Sequence, residues 1–175
     1  MYNSATGLCT PGLYLKGGIA GALLAPTSAE GNLFAPATCD TSDGFALVKS
    51  GTLSACIWAS TTEMTYSNAR AFCRNVGAHL YVSRSVERFN LLPHGIVYII
   101  GLTDRAKEGT FVWDDNGNVI TESLKSSLFM PGEPSNSENR EDCVAVVAGG
   151  TGNFANDIAC EGVEFRFVCE RPLVL

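Results

Sequence analysis

Seven cysteines in a chain of 175 residues constrain its fold more than any other feature of the sequence. No two of them form a Cys-x-x-Cys pair, and no cysteine and histidine stand at a spacing typical of zinc ligands. The cysteine pattern therefore favours a disulfide framework that forms in an oxidising compartment. An odd number leaves one cysteine over, which is either free or paired with a second chain.

The location that we expect is extracellular. The first four residues lack the basic and apolar regions of a signal peptide, so we expect a secreted protein whose leader has been removed. The apolar stretch 17–29 is too short and too rich in glycine to span a bilayer, and no membrane insertion is expected.

Composition indicates one folded domain with an acidic surface. Hydrophobic residues make up 46% of the chain and charged residues 17%, which suits a packed core. The net charge of −6 and the absence of a Lys/Arg cluster argue against nucleic acids as partners. Because residues 1–38 are almost uncharged and rich in small side chains, we predict an N-terminal extension there and a folded domain over 39–175.

Local patterns predict an α+β fold. One helix is predicted over 66–76 behind the capping residue Thr65, and a second opens at Ser83 or Ser85 and runs through Leu92. Two helices beside short strands and a long loop region are typical of an α+β domain. The predicted strands are 97–102, 110–113, 143–148 and 164–170, the predicted turns are 115–118 and 149–153, and long polar loops are predicted between 120 and 142.

Oxygen-bearing side chains are concentrated in segment 133–143, around Pro134 and directly before a cysteine. A second group, Asn156 and Asp157, stands shortly before Cys160. Ca²⁺ binds about six to eight oxygens from carboxylates, amides and carbonyls. Two loops tied at their bases by a disulfide bring that many oxygens together, so this segment predicts a calcium site. A solvated acidic loop is the alternative that the segment leaves open.

A series of motifs, each weak alone, follows in a fixed order, and through it residues 39–175 resemble a C-type lectin-like domain. The motifs are a hairpin opened by Cys39 and Cys56, the helix ending in Cys73, Gly77-Ala78-His79-Leu80, Glu87, Ile100-Gly101-Leu102-Thr103-Asp104, Glu108-Gly109, Phe111-Val112-Trp113, Pro131-Gly132-Glu133-Pro134, Glu141-Asp142-Cys143, Asn156-Asp157, Cys160 and Phe167-Val168-Cys169-Glu170. The resemblance implies an α+β C-type lectin-like fold with three disulfides and leaves Cys9 as the spare cysteine. The implied pairs are Cys39–Cys56, Cys73–Cys169 and Cys143–Cys160.

The resemblance also implies two calcium sites. In the principal site, Pro134 is expected to follow a cis peptide bond, which turns the flanking oxygens toward one point. The implied principal ligands are Glu133, Ser135, Glu141, Asn156 and Asp157. The implied accessory ligands are Asp104, Glu108, Asn136 and Asp142, for which an exposed turn is the alternative.

Sugar recognition is the function that the resemblance implies. A calcium ion with open positions binds two vicinal hydroxyls, and the side chains that hold the ion also bond those hydroxyls. The implied carbohydrate-binding residues are Glu133, Ser135, Glu141 and Asn156. Because Glu133 keeps the charge order of the family's Glu-Pro-Asn motif, we expect mannose-type sugars, namely mannose, fucose or N-acetylglucosamine.

Two departures from the family pattern keep other functions open. Ser135 replaces the asparagine of Glu-Pro-Asn, and Ala155 replaces the tryptophan of Trp-Asn-Asp. These changes favour a domain with structural calcium and a protein ligand, and an ice- or mineral-binding variant is a further alternative on the same fold. No catalytic motif of the hydrolase, zinc-protease or cysteine-protease type is present, so we expect no enzymatic activity.

The sequence predicts a homodimer with Cys9 as the candidate for an interchain disulfide. A single calcium-bridged sugar makes few contacts, so one site binds in the order of millimolar, and pairing two sites raises the apparent affinity by roughly 10² to 10⁴. Non-reducing electrophoresis should show a dimer that Cys9→Ser converts to monomer. A free Cys9 thiol, a Cys9 bonded within its own chain, or a monomer by light scattering would contradict the prediction.

Overall fold

The computed structural model of the chain describes residues 2–3, 8–9, 37–149 and 152–174. Two compact units divide the chain, Met1–Leu33 and Phe34–Leu175. In the first unit, strand β1 (Tyr2–Asn3) pairs antiparallel with strand β2 (Leu8–Cys9). Most of the predicted extension and the side chain of Cys9 lie outside the described residues, so the boundary at residue 38 and the role of Cys9 stay predictions.

One sheet of eight strands organises the second unit, and three α-helices pack with it. The strands are β3 (Ala46–Ser50), β4 (Leu53–Ala59), β5 (His79–Leu80), β6 (Tyr98–Thr103), β7 (Val112–Trp113), β8 (Cys143–Gly149), β9 (Gly152–Ile158) and β10 (Arg166–Arg171). The helices are α1 (Tyr66–Asn75), α2 (Val86–Phe89) and α3 (Glu122–Leu128), and 3₁₀ turns span Ser42–Gly44 and Ser137–Asn139. None of the helices in the described part of the chain is long and apolar enough to cross a membrane.

The sheet runs in the order β3-β4-β10-β6-β8-β9, and β5 and β7 pair with β10 and β6. Strands β10 and β6 are parallel, and the other pairs are antiparallel. This mixture of helices and antiparallel-rich sheet confirms the α+β fold class. The turn predicted over 149–153 is too long, because Gly149 ends β8, and Gly152 and Asn153 begin β9 and pair with Gly149 and Ala148. Residues 150–151 lie outside the described part.

Each helix is preceded by a Ser or Thr whose side-chain oxygen accepts a hydrogen bond from the backbone amide three residues later. This bond satisfies one of the free amides of the first helical turn. Thr65 accepts from Asn68 N at 3.4 Å at the start of α1. Ser85 accepts from Arg88 N at 3.2 Å at the start of α2. Two of these capped starts were predicted from the sequence.

The helix predictions were incomplete in two places. The second helix ends at Phe89 rather than Leu92, because the residue before a proline is disfavoured in the helical conformation and Pro93 follows Leu92. Helix α3 lies where only polar loops were predicted. Thr121 caps it by accepting from Leu124 N at 3.2 Å, and Leu128 is its buried residue.

The core lies on both faces of the sheet, because successive strand residues point to opposite sides. On β6, Ile99 belongs to one buried cluster and Ile100 to the other. On β10, Phe167 and Val168 divide in the same way. The core positions predicted at Ile100, Phe111 and Trp113 are all buried.

Three disulfides join distant elements, and their pairs are the three that the resemblance implied. Cys73–Cys169 links α1 to β10, Cys143–Cys160 links the start of β8 to the segment after β9, and Cys39–Cys56 links the segment before β3 to β4. All except Cys39 have little or no exposed surface.

Gly101 on β6 should tolerate no larger side chain. A Cβ atom there would lie 2.8 Å from the carbonyl oxygen of Leu80, a backbone atom that cannot turn away. We expect Gly101→Ala to lower the free energy of unfolding by about 1–3 kcal/mol, measured by urea denaturation. Gly152→Ala is the matched control, since the nearest atom to its Cβ would be Asn90 Oδ1 at 4.0 Å. Equal stability of the two variants would contradict this packing.

Candidate metal and ligand site

The predicted principal ligands come together from two parts of the fold. Glu133 and Ser135 lie in the loop between α3 and β8, Glu141 stands two residues before β8, and Asn156 and Asp157 lie on β9. Strands β8 and β9 form a hairpin that the Cys143–Cys160 disulfide closes. The site is therefore built from a long loop laid against the end of a rigid hairpin.

Asp157 fixes the loop to the hairpin. Its side chain is fully buried and accepts two backbone hydrogen bonds, from Ser135 N at 3.0 Å and from Asn136 N at 2.6 Å. Amides that donate to a carboxylate make some of the stronger hydrogen bonds in proteins. One charged group on β9 therefore sets the position of the loop backbone.

Glu141 closes the other end of the same loop. Its Oε2 accepts from Ser137 N at 2.8 Å and from Ser135 Oγ at 3.3 Å, and its own amide donates to Asn136 Oδ1 at 3.2 Å. Ser135, which replaces the asparagine of the family pattern, thus donates its hydroxyl proton to Glu141, a predicted metal ligand.

Glu133 carries the strongest indication of a cation. The Glu133–Pro134 peptide bond is cis, as predicted. Its Oε2 atom is buried without a hydrogen-bond partner. Burial, and then contact with the Asp157 carboxyl, raises the pKa of Glu133. Two touching carboxylates cannot both be ionised at low cost unless a positive charge lies between them.

A calcium ion fits these residues by the chemistry of the donors. Among the described residues, no three carboxylate, imidazole or thiol side chains form a ready metal cage. The site instead mixes carboxylates with the hydroxyl of Ser135 and the amide of Asn156, which are hard oxygen donors of the kind that Ca²⁺ accepts. The unpartnered oxygen of Glu133 is the structural feature that the ion would satisfy.

Two of the predicted accessory residues, Glu108 and Asp142, lie near a third, Asp104. Asp104 is buried, its Oδ2 accepts from Gly109 N at 2.8 Å, and its Oδ1 has no partner. Burial, and next to it the carboxylates of Glu108 and Asp142, raises the pKa of Asp104. The backbone carbonyl of Asp142 accepts from Asp104 N at 3.1 Å and from Thr103 Oγ at 2.6 Å. The fourth, Asn136, belongs instead to the loop of the principal site, where its Oδ1 accepts from Glu141 N and its own amide donates to Asp157.

A groove of about 710 Å³ adjoins Glu141. It is formed by segments 137–142 and 159–163 together with Arg105. Its size lies within the range of roughly 300–1,000 Å³ that is usual for ligand sites. Of the five predicted principal ligands, only Glu141 lines this groove.

Sequence reasoning missed the roles of Ser137 and Thr103. Ser137 contributes a backbone amide to Glu141, and a backbone donor leaves no signature in residue type. The left-handed backbone of the loop was missed as well, with φ of 44° at Asn136, 56° at Glu138 and 54° at Asn139. Asparagine tolerates this conformation better than most residues, so Asn136 and Asn139 were the available signal.

Sequence comparison relates the chain to known proteins. The family model described as "Lectin C-type domain" matches residues 62–171. "C-type lectin domain family 4 member E" of Mus musculus is 36% identical over 124 residues, which is 68% of this chain and 56% of that protein. "Hepatic lectin" of Gallus gallus is 33% identical over 122 residues, or 67% of this chain and 55% of that protein. The chain thus spans little more than half the length of these relatives.

Solved structures with a similar fold include two that were determined with saccharides. The C-type lectin domain of murine dendritic cell inhibitory receptor 2, in complex with N-glycan, is 27% identical with a TM-score of 0.58, over 66% of this chain and 89% of that one. The carbohydrate-recognition domain of cow CD23, in the presence of a GlcNAc2Man3 oligosaccharide, is 27% identical with a TM-score of 0.59, over 69% and 89%.

Replacement of Asp157 should release the loop backbone. Asp157→Asn removes the charge and one of the two acceptors, so we expect the amides of Ser135 and Asn136 to exchange hydrogen about 10- to 100-fold faster. Hydrogen exchange in chelator measures this without metal. Asn156→Ala is the control, because it keeps both bonds of Asp157 and should leave these exchange rates unchanged. Unchanged exchange in Asp157→Asn would contradict the role of this carboxylate.

Proposed function

Since the chain belongs to the C-type lectin domain family, we propose that it binds carbohydrate through a calcium ion held in the principal site. Members of this family generally bind Ca²⁺. The observation that carries the proposal is the buried, unpartnered oxygen of Glu133 beside the carboxylate of Asp157. A divalent cation satisfies that oxygen and offsets the repulsion between the two acids.

The residues proposed to hold the ion lie in the loop between α3 and β8 and on β9. When bound, Ca²⁺ supplies a centre of positive charge with positions for two sugar hydroxyls. The principal ligands are Glu133, Ser135, Glu141, Asn156 and Asp157, and Asp104, Glu108, Asn136 and Asp142 are the proposed accessory ligands.

The side chains of the site assign donors and acceptors to the sugar. Carboxylates only accept hydrogen bonds, so Glu133 and Glu141 accept the hydroxyl protons. An amide also donates, so Asn156 bonds a hydroxyl lone pair. Residues Asn156 and Glu133 are partly exposed, which leaves them accessible to a ligand, whereas Asp157 is buried and acts through the loop.

Mannose-type sugars are the proposed ligands. Glu133 keeps the acidic position of the Glu-Pro-Asn order, which suits sugars with two adjacent equatorial hydroxyls. These are the 3- and 4-hydroxyls of mannose and N-acetylglucosamine and the 2- and 3-hydroxyls of fucose. Saccharide complexes of similar domains support this choice, since murine dendritic cell inhibitory receptor 2 was solved with N-glycan.

One observation favours a second candidate, a protein ligand with calcium in a structural role. Glu141 Oε2 already accepts from Ser137 N and from Ser135 Oγ. That oxygen has less capacity left for a sugar hydroxyl than it would have beside an asparagine. In this case the ion would order the loop without presenting a sugar.

The location and the oligomeric state of the protein are part of the same proposal. We propose a secreted, non-enzymatic lectin that acts as a homodimer, because one shallow sugar site is weak and paired sites gain avidity.

Calcium should be required for both loop order and glycan binding. We expect Ca²⁺ to raise the melting temperature and to give binding on a glycan array that chelator abolishes. Glu133→Gln should weaken calcium binding, measured by titration calorimetry. Its matched control is Glu138→Gln on the same loop, since the Glu138 side chain is exposed and pairs with Arg140.

The outcomes separate the two candidates. A calcium-dependent melting temperature without glycan binding would favour the protein ligand. An unchanged melting temperature together with no glycan binding would contradict the proposed site altogether.

Specificity should follow the charge order of the motif. The double variant Glu133→Gln with Ser135→Asp creates the family's galactose-type arrangement, because it moves the carboxylate across Pro134. We expect competition assays to show a preference for mannose in the parent and for galactose in the variant. A parent protein that already prefers galactose would contradict the assignment of Glu133.

A further inference from the structure

Three residues of the loop before β8 form a closed triangle of hydrogen bonds. Ser137 N donates to Glu141 Oε2 at 2.8 Å, Ser135 Oγ donates to the same oxygen at 3.3 Å, and the two serine hydroxyl oxygens are 3.3 Å apart. Ser135 and Ser137 are exposed and Glu141 is half-buried, so the triangle is open to solvent. Ser137 and Glu141 also line the groove described above.

A count of protons fixes the direction of the bond between the two hydroxyls. A serine hydroxyl has one proton to donate and two lone pairs that accept. The proton of Ser135 is donated to Glu141, so within this triangle Ser137 is the donor and Ser135 the acceptor. One lone pair of Ser135 Oγ and both lone pairs of Ser137 Oγ are then free for other partners.

This arrangement bears on the change from asparagine to Ser135. An asparagine amide has an oxygen that accepts and a nitrogen that donates, both on one side chain. Ser135 has one lone pair free, which the proposed calcium ion would take, and it has no proton left for a sugar. The Oγ atom of Ser137, at 3.3 Å from that of Ser135, has the missing capacity, and it offers an acceptor where the amide offers a donor.

The backbone of Ser137 is held firmly, while its hydroxyl is held loosely. Its amide donates to Glu141, and its carbonyl oxygen accepts from Arg140 N at 3.2 Å. Bonds of the O–H···O type are typically about 2.7–2.8 Å long, so the two contacts of 3.3 Å are weak. A ligand hydroxyl can therefore bind the Ser137 hydroxyl without moving the loop backbone.

We propose that Ser137 is a further residue of the ligand site, whose hydroxyl binds the sugar and orients the hydroxyl of Ser135. Ser137 Oγ accepts a hydrogen bond from a hydroxyl of the bound sugar and donates its own proton to Ser135 Oγ. Ser135 then keeps a lone pair free for the ion. This role rests on the proposed function, because a sugar contacts Ser137 only when it is bound at the principal site.

A double-mutant cycle tests the coupling between the two serines. Ser137→Ala removes the hydroxyl and keeps the backbone amide that donates to Glu141. With Ca²⁺ present, we expect it to weaken binding of methyl α-mannoside about 3- to 10-fold in an NMR titration. In the Ser135→Asn background, where the amide supplies the missing hydrogen bond, the same change should weaken binding less than about 2-fold. Ser137→Thr keeps the hydroxyl and should bind as the parent does.

A measurement in chelator separates this role from a general effect on the loop. Three-bond couplings about χ1 of Ser135 should report a larger share of one rotamer in the parent than in Ser137→Ala. The amide of Asn136, which donates to β9, should exchange hydrogen at the same rate in both proteins. Ser127→Ala is the matched control, because this exposed hydroxyl donates to a carbonyl oxygen within α3 and should alter none of these readouts.

Three results would overturn the role of Ser137, and only the first would also contradict the proposed function. The first is a parent protein that binds neither Ca²⁺ nor the mannoside. The second is a parent that binds both, with a Ser137→Ala variant that binds the mannoside equally well. The third is an equal loss of affinity from Ser137→Ala in the parent and in the Ser135→Asn background, since the two serines would then act independently.

Discussion

The last strand of the chain, β10, is the element on which the rest of the domain depends. It pairs with β4, β5 and β6, and its residue Cys169 is bonded to Cys73 in α1. Phe167, Val168 and Cys169 are fully buried, and Phe167 and Val168 belong to different core clusters. Both faces of the core are therefore incomplete until β10 inserts between β4 and β6, which lie far earlier in the sequence. Long-range pairing of this kind makes the fold cooperative and slow to form.

That rigid sheet explains how an irregular loop presents a defined site. The loop before β8 has little regular structure of its own, and its backbone donors would otherwise need water. Asp157 on β9 accepts hydrogen bonds from two of these backbone amides, and Glu141 accepts one from a third. The anionic groups that could bind a metal are thus the same groups that shape the loop. The proposed cation and the loop backbone would both draw on those oxygens, so metal binding would be coupled to loop order.

Sequence reasoning succeeded where a signal is local or carried by a motif. The caps Thr65 and Ser85, the strand around Ile100 and the three disulfides were all predicted correctly, and so was the cis bond before Pro134. Helix α3 was missed although Thr121 is a usable cap, because the surrounding residues are mostly polar. The bonds from Ser135 and Asn136 to Asp157 join residues 22 and 21 positions apart through backbone amides, which no residue pattern records.

Asp104 and Arg105 are neighbours in the sequence, but their side chains lie in different electrostatic surroundings. Asp104 is buried, and its carboxylate lies near those of Glu108 and Asp142 on the side where a cation would be stabilised. Arg105 is exposed and turns to Ser67, Glu161 and the ring of Tyr66. Each residue is held by bonds of its own, Asp104 by Gly109 N and Arg105 by α1 and the segment after Cys160. Asp104 and Arg105 do not form an ion pair with each other, because each side chain already bonds other groups of the protein. An acidic protein can therefore place a buried carboxylate and an exposed, paired guanidinium on adjacent residues.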